Sequence, residues 1–222
     1  MTVRARLVGL DAGENEIVGE ACEDSIRSYL LELLMEEGRD SQRVLCADLL
    51  NYGAAAQIYF DFDTEHLVNE DLTPEQAVAM EQYATKEEAP AEQTNSPEGP
   101  TLYSSVSLKN RVILSLSAVV RNAQGEVSVR ITDPDGSSVE LPMSAVSAKV
   151  YIAKFSNVSA KNMRKPYEIK VLVDGNDYGT PIIWSVEGYI HALRENGGDK
   201  EIALANAMLI YGDSAAKYLN ER

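Results

Sequence analysis

One unit occurs twice in this chain, and that duplication constrains the fold more than any other feature. Ser25, Tyr29, Leu33 and Gly38 recur 160 residues later as Ser185, Tyr189, Leu193 and Gly198. With one residue less in the connecting loop, Leu45, Tyr52, Gly53, Ala56 and Tyr59 recur 159 residues later as Leu204, Tyr211, Gly212, Ala215 and Tyr218. Ile26 and Val186, Leu30 and Ile190, Leu49 and Met208, and Ala55 and Ser214 fill the intervening positions with similar residues. A repeated segment is a repeated structural unit, so whatever one copy folds into the other folds into as well.

The spacing identifies the unit. Ile26, Tyr29, Leu30, Leu33 and Leu34 fall at i, i+3, i+4, i+7 and i+8, one face of a helix entered through Ser25 as N-cap and ended by Gly38. Leu45, Leu49, Tyr52, Ala56 and Tyr59 form a second apolar stripe, with Asp40 or Ser41 to cap its start. Each copy is therefore a helical hairpin. Gly53 and Gly212 fall inside the second helices, where glycine costs about 1 kcal/mol relative to alanine, so their recurrence among small neighbours predicts a close approach by another backbone. Tyr52 and Tyr211 are expected in matched surroundings, each buried between its own hairpin and the β-hairpin before it.

Strands precede both hairpins. Val171 and Val173, the turn Asp174-Gly175-Asn176-Asp177 and the run Ile182-Ile183-Trp184 read as a β-hairpin leading into Ser185. Val3, Ala5 and Leu7, a turn at Asp11–Asn15 and Ile17-Val18-Gly19 lead in the same way to Ser25. Residues 1–24 thus read as the last two strands of a preceding β-domain, and the chain is expected to start in mid-repeat. Between 101 and 184, alternating apolar residues run through Val112–Ala118, Val127–Ile131, Val139–Leu141, Val150–Ile152 and Tyr167–Val171, with turns at 122–125, 133–136 and 174–177. Short strands at each end complete about seven in this stretch, the dimensions of an Ig-like antiparallel sandwich, though without the Cys…Trp…Cys pattern of antibody domains. Trp184 is expected to fill the seam between sandwich and helices.

The fold class expected is α+β, in four parts: residues 1–60 as the C-terminal part of a preceding repeat (β-hairpin plus helical hairpin), 61–100 as an acidic connector, 101–184 as the sandwich and 185–222 as the second helical hairpin. The connector carries eleven acidic residues and one basic, and so −10 of the chain's net −15. A short helix is expected over 72–83, with Thr73-Pro74-Glu75 as its start, and the stretch from Thr85 to Pro100, with three prolines and almost nothing to bury, reads as a solvated linker.

Asn51-Tyr52-Gly53-Ala54-Ala55-Ala56-Gln57-Ile58-Tyr59-Phe60, followed by Asp63-Thr64 and Leu67-Val68-Asn69, resembles a segment of repeat modules in large secreted surface proteins of Gram-positive gut anaerobes. The phrase Phe155-Ser156-Asn157-Val158-Ser159-Ala160-Lys161-Asn162-Met163 resembles the turn before the last hairpin of the Ig-like module in those proteins. The likeness covers both hairpins and the sandwich but not the acidic linker. It implies export, attachment near the cell wall and a module of uncharacterised function; no signal peptide is visible in residues 1–24. Neighbouring modules of the same polypeptide, and a host or bacterial surface protein or glycan, are the partners to expect.

The residues offer little catalytic equipment. A charge of −15 and a pI near 4.5 repel a phosphate backbone, and no apolar run reaches the roughly 18 residues of a membrane span, so neither nucleic acid nor membrane insertion is expected. His66 follows the first hairpin and His191 sits on the third helix, neither within a nucleophile frame. Asp174–Gly179 places Asp, Asn and Gly at calcium-loop positions one, three and six, but Tyr178 stands at five and Ser185 at twelve, where a bidentate Glu belongs, so a β-turn is the better reading. Cys22 and Cys46 are too separated for a disulfide and are expected as separate buried thiols. No catalytic, cofactor-binding or metal residue is assigned, no cofactor is expected, and the ligand-binding residues are unknown. The chain is expected to be a non-catalytic spacer or adhesion module, the alternative being a carbohydrate-binding module whose stacking rings would come from Tyr103, Tyr151, Tyr167, Tyr178 and Trp184.

Overall fold

The computed structural model describes residues 2–10, 16–37, 40–77, 100–108, 112–121 and 125–221. Strands β1 (Thr2–Leu10) and β2 (Glu16–Ser25) pair with each other antiparallel, so the strands expected before the first hairpin are present as a two-stranded sheet. Helices α1 (Ile26–Met35) and α2 (Asp40–Phe60) follow, then a short helix α3 (Pro74–Ala77). The expected continuation of that helix to 83, and the linker from 85 to 99, lie outside the described residues.

Residues 101–184 form two antiparallel sheets. One has the order β3 (Thr101–Leu108), β4 (Val112–Val119), β8 (Val150–Phe155), β7 (Ser144–Ala145). The other has the order β10 (Asn176–Asp177), β9 (Tyr167–Val173), β5 (Val127–Thr132), β6 (Ser138–Pro142), with β11 (Ile182–Trp184) also on β9. That makes nine strand segments, three of them of two or three residues, where periodicity alone suggested about seven. The period-two pattern has its usual cause: the inward residues Leu114, Leu116, Ala118, Val129, Ile131 and Ile169, from both sheets, are at most 1% exposed and belong to one hydrophobic core.

That core does not stop at the sheets. Val186 and Ile190 of α4 (Val186–Asn196) and Ala205, Met208 and Leu209 of α5 (Asp199–Asn220) are part of it. Trp184 lies at the junction, 3% exposed and 6.0 Å from the ring of its cross-strand partner Tyr167, so it fills the seam between sheets and helices. The two hairpins enter alike: the Ser25 and Ser185 side chains accept from the backbone N–H groups of Ser28 and Gly188 at 3.0 and 2.9 Å, the bond of an N-cap.

The turns follow their residues. Asp174 and Gly175 both have positive φ, which fits the two-residue turn that joins β9 to β10 with right-handed twist, so this segment is a β-turn. Asp133 Oδ1 accepts from the N–H groups of Asp135 and Ser137 and so closes the Asp-Pro-Asp-Gly turn on itself. The turn expected at 122–125 lies mostly outside the described residues.

The recurrent glycines are close-approach sites. A Cβ on Gly212 would stand 2.9 Å from the carbonyl oxygen of Ala160, in the 3-10 turn Ala160–Asn162, and against Met163. A Cβ on Gly53 would stand 2.8 Å from Val68 Cγ2, so there the neighbour is a side chain rather than the expected backbone. The two obstacles differ in compliance, since backbone cannot rotate away. Gly212→Ala is expected to lose roughly 1–3 kcal/mol in chemical denaturation despite alanine's better helix propensity, and Gly53→Ala distinctly less.

Candidate functional site

The two copies of the hairpin meet each other, and they do so through their own equivalent residues. Tyr52 of α2 stacks on Tyr211 of α5, with ring centroids 5.9 Å apart and planes 7° from parallel. On one side of this pair Asp48 lies against Ser214. On the other side Ala55 clusters with Ala207 and Leu204. Asp48 corresponds to Ala207, and Ala55 to Ser214, so the two flanking contacts are the same contact made twice in opposite sense. The helices therefore run antiparallel about a pseudo-two-fold axis through the tyrosine pair, the geometry of an isologous dimer within one chain. Where burial against the preceding β-hairpin is expected, Tyr52 and Tyr211 are both half-buried, and each instead has the other as its partner. Repetition in a sequence does not reveal that its copies are in contact; this pairing only the fold could disclose.

The same symmetry produces two grooves. A cavity of about 250 Å³ is lined by Tyr189, Ile190, Leu193, Glu201, Leu204, Ala205 and Met208, and is closed by Tyr59 and Phe60 from the end of α2 and by Val106 of β3. A cavity of about 200 Å³ is lined by Tyr29, Leu30, Leu33, Gln42, Leu45, Cys46 and Leu49, and is closed by Tyr211 and Tyr218 of α5. The seven hairpin residues correspond position by position, and Tyr59 is the counterpart of Tyr218. Each hairpin thus supplies the floor of its own groove and a tyrosine lid for the other's. Among the described residues the grooves are apolar, with Gln42 or Glu201 as the polar position, and hold no nucleophile with an oriented base.

The motif around Asn51 has a specific job. Asn51 is 2% exposed; its Nδ2 donates to Gln76 O at 2.9 Å and its Oδ1 accepts from Asn69 Nδ2 at 2.9 Å. Gln57 Nε2 donates to the carbonyls of Asp63 and His66, while its Oε1 accepts from the N–H of Val68 at 2.8 Å. Arg27 donates to Val68 O and pairs with Glu70 and Asp71. Residues 61–77 are thereby clasped to the first hairpin, so the early connector is folded and belongs with residues 26–60. The counterparts of Asn51 and Gln57 are Ile210 and Ala216, and the second hairpin instead holds the turn at 160–164. There Arg164 makes a two-pronged contact with Asp213, Nε to Oδ1 at 2.5 Å and Nη2 to Oδ2 at 2.9 Å, and also pairs with Glu187.

The other residues singled out from sequence are not gathered into one place. His66 is exposed, its Nδ1 3.2 Å from Asp63 Oδ1, and His191 is half-buried on α4. Cys46 is a free, buried thiol whose pKa is raised by burial and by Glu36; the side chain of Cys22 lies outside the described residues. Among the candidate stacking rings, Tyr103 is exposed, Tyr151 and Tyr178 are packed half-buried on the core, and Tyr167 and Trp184 are buried. Among the described residues no group of three or more His, Cys, Asp or Glu is placed to hold a metal ion. Comparison of the chain with protein-family models, with characterised proteins and with solved structures finds no match.

Sequence reasoning missed Asp48, which is 4% exposed inside the α2–α5 contact. Burial pushes its pKa up to about 6, the Ser214 hydrogen bond pulls it down, and the charge of Asp213 pushes it up. An unfolded Asp titrates near 3.9, so the native state binds the proton more tightly. The associated stability is present in full below pH 4 and is lost as pH rises through about 6. Asp48→Ala, which copies Ala207 of the other hairpin, is expected to remove this dependence and to exceed the parent in stability at pH 8 by about 1–3 kcal/mol. Denaturant titrations of both proteins at pH 4 and pH 8 measure it.

Proposed function

We propose that this chain is a non-catalytic extracellular surface module, a spacer and adhesion or protein-binding repeat of a larger cell-wall-associated protein, built from an Ig-like β-sandwich and helical hairpins. The observation that carries the reading is the use to which the polar side chains are put. Asn51, Gln57, Arg27, Arg164, Asp213 and Glu187 are engaged in clasping one segment to another, and the duplicated residues form the helix–helix contact and its two apolar grooves. A catalytic site needs polar groups held ready on rigid elements around a reacting atom, and these groups are instead consumed in holding the fold. The resemblance of the Asn51–Phe60 segment to surface-protein repeats supports the same reading.

The carbohydrate-binding alternative requires a platform of exposed coplanar rings. Of the five candidates only Tyr103 is largely exposed, which favours protein partners and a spacing role over glycan stacking.

No turnover is expected when the purified chain is screened against polysaccharides, peptides and chromogenic esters, with and without calcium. Hydrolysis that a single carboxylate substitution abolishes would overturn the proposal, whereas saturable binding without turnover supports it and distinguishes protein from glycan partners.

A further inference from the structure

The two copies of the hairpin are built alike but are not covered alike. Val186 is fully buried in the core shared by the sheets and α4, while its counterpart Ile26 is 63% exposed. Tyr189 is packed on that core, while Tyr29 is 54% exposed. In the second copy Val106 of β3 completes the groove beside Tyr189, Ile190 and Leu193; among the described residues no strand does the same beside Tyr29, Leu30 and Leu33. The opposite flank of α1 is not vacant, since residues 68–71 hold Arg27 there, much as Met163 and Arg164 hold Glu187.

The strands show the same difference. β9 pairs with β11, which leads into the Ser185 cap, and its other edge pairs with β5 over Val127–Thr132. β1 pairs with β2, which leads into the Ser25 cap, and its other edge has no strand partner among the described residues. An open strand edge beside an apolar helix face is an unfinished interface.

We propose that the Ile26–Tyr29 face of α1, together with the free edge of β1, is a docking surface for a β-sheet domain of the same two-sheet design as residues 101–184. The second copy identifies the occupant, because there the equivalent face is already buried by such a domain. The surface is also continuous with an existing interface: the groove beneath Tyr29 runs on to Tyr211 and Tyr218 of α5. The docked domain places an aliphatic side chain at the groove beside Tyr29 and Leu33, as Val106 lines the groove beside Tyr189 and Leu193. The hairpin pair about the tyrosine stack then carries a β-domain on each side, which is a rule for joining successive modules rather than a property of one.

A tandem chain tests this, with a second copy of residues 100–155, the strands that precede β9, joined by a flexible linker ahead of Thr2, so that β1 and β2 stay in place and the free edge of β1 can pair as that of β9 does. Hydrogen exchange of the α1 amides is expected to slow at least about tenfold relative to the parent chain, and Ile26→Asp in the tandem chain to abolish the gain. In the parent chain Ile26→Asp is expected to leave the denaturation midpoint in place while Val186→Asp lowers it. Unchanged α1 exchange in a tandem chain whose added sheets are themselves protected overturns the proposal. So does an equal loss from Ile26→Asp and Val186→Asp in the parent chain, a comparison that stands even if the tandem chain does not fold. A concentration-dependent dimer of the parent chain that Ile26→Asp dissolves also overturns it, since the occupant is then a second copy.

Discussion

The antiparallel contact of α2 with α5 about the Tyr52–Tyr211 stack is the interaction on which the arrangement of the whole chain depends. It joins the first hairpin to the body made of the sheets and the second hairpin. An offset aromatic stack contributes about 0.5–1.5 kcal/mol beyond its buried area, and the small residues flanking it let the helices approach closely. Because the two stripes derive from one repeated pattern, a patch that is complementary to itself is enough to make the interface. Asp48, which stands where the other copy has Ala207, places a buried carboxyl in the contact, and burial raises its pKa.

Around that contact each hairpin has acquired its own polar clasp on a shared backbone plan. In the first, Asn51 and Gln57 bind the backbone and side chains of residues 63–76, with Val68 lying over Gly53. In the second, Asp213 and Glu187 bind Arg164, with Ala160 lying over Gly212. The glycines are common to both because something must lie close in both; the hydrogen-bonding residues differ because what lies there differs. This explains why the Asn51–Phe60 segment is so distinctive a string without being a catalytic one. Its polar members are fasteners, and its apolar members are the helix interface and the groove.

How much was legible beforehand varies with the range of the interaction. The helical hairpins, their serine caps, the β-hairpin turn at Asp174-Gly175 and the inward-facing residues of the strands all follow from periods of two and 3.6 and from local turn chemistry. Residues 61–77 read as acidic connector because charge density says nothing about whether a distant amide will bind the backbone, and here Gln57 and Asn51 do. Asp48 reads as one more surface carboxylate because its burial comes from a helix some 160 residues away in sequence.

The sequence by itself determined the elements and their duplication: stripe, cap and glycine positions recur because each local unit is specified by neighbours within a few turns of chain. Only the tertiary structure decided that the two copies face each other, that Tyr52 meets Tyr211, that the two grooves are one groove made twice, and that Val186 is buried while Ile26 is not. Those outcomes depend on which surfaces meet, and a repeat presents two equal surfaces without saying which will be covered. The burial of apolar area settles that only when the whole chain is folded.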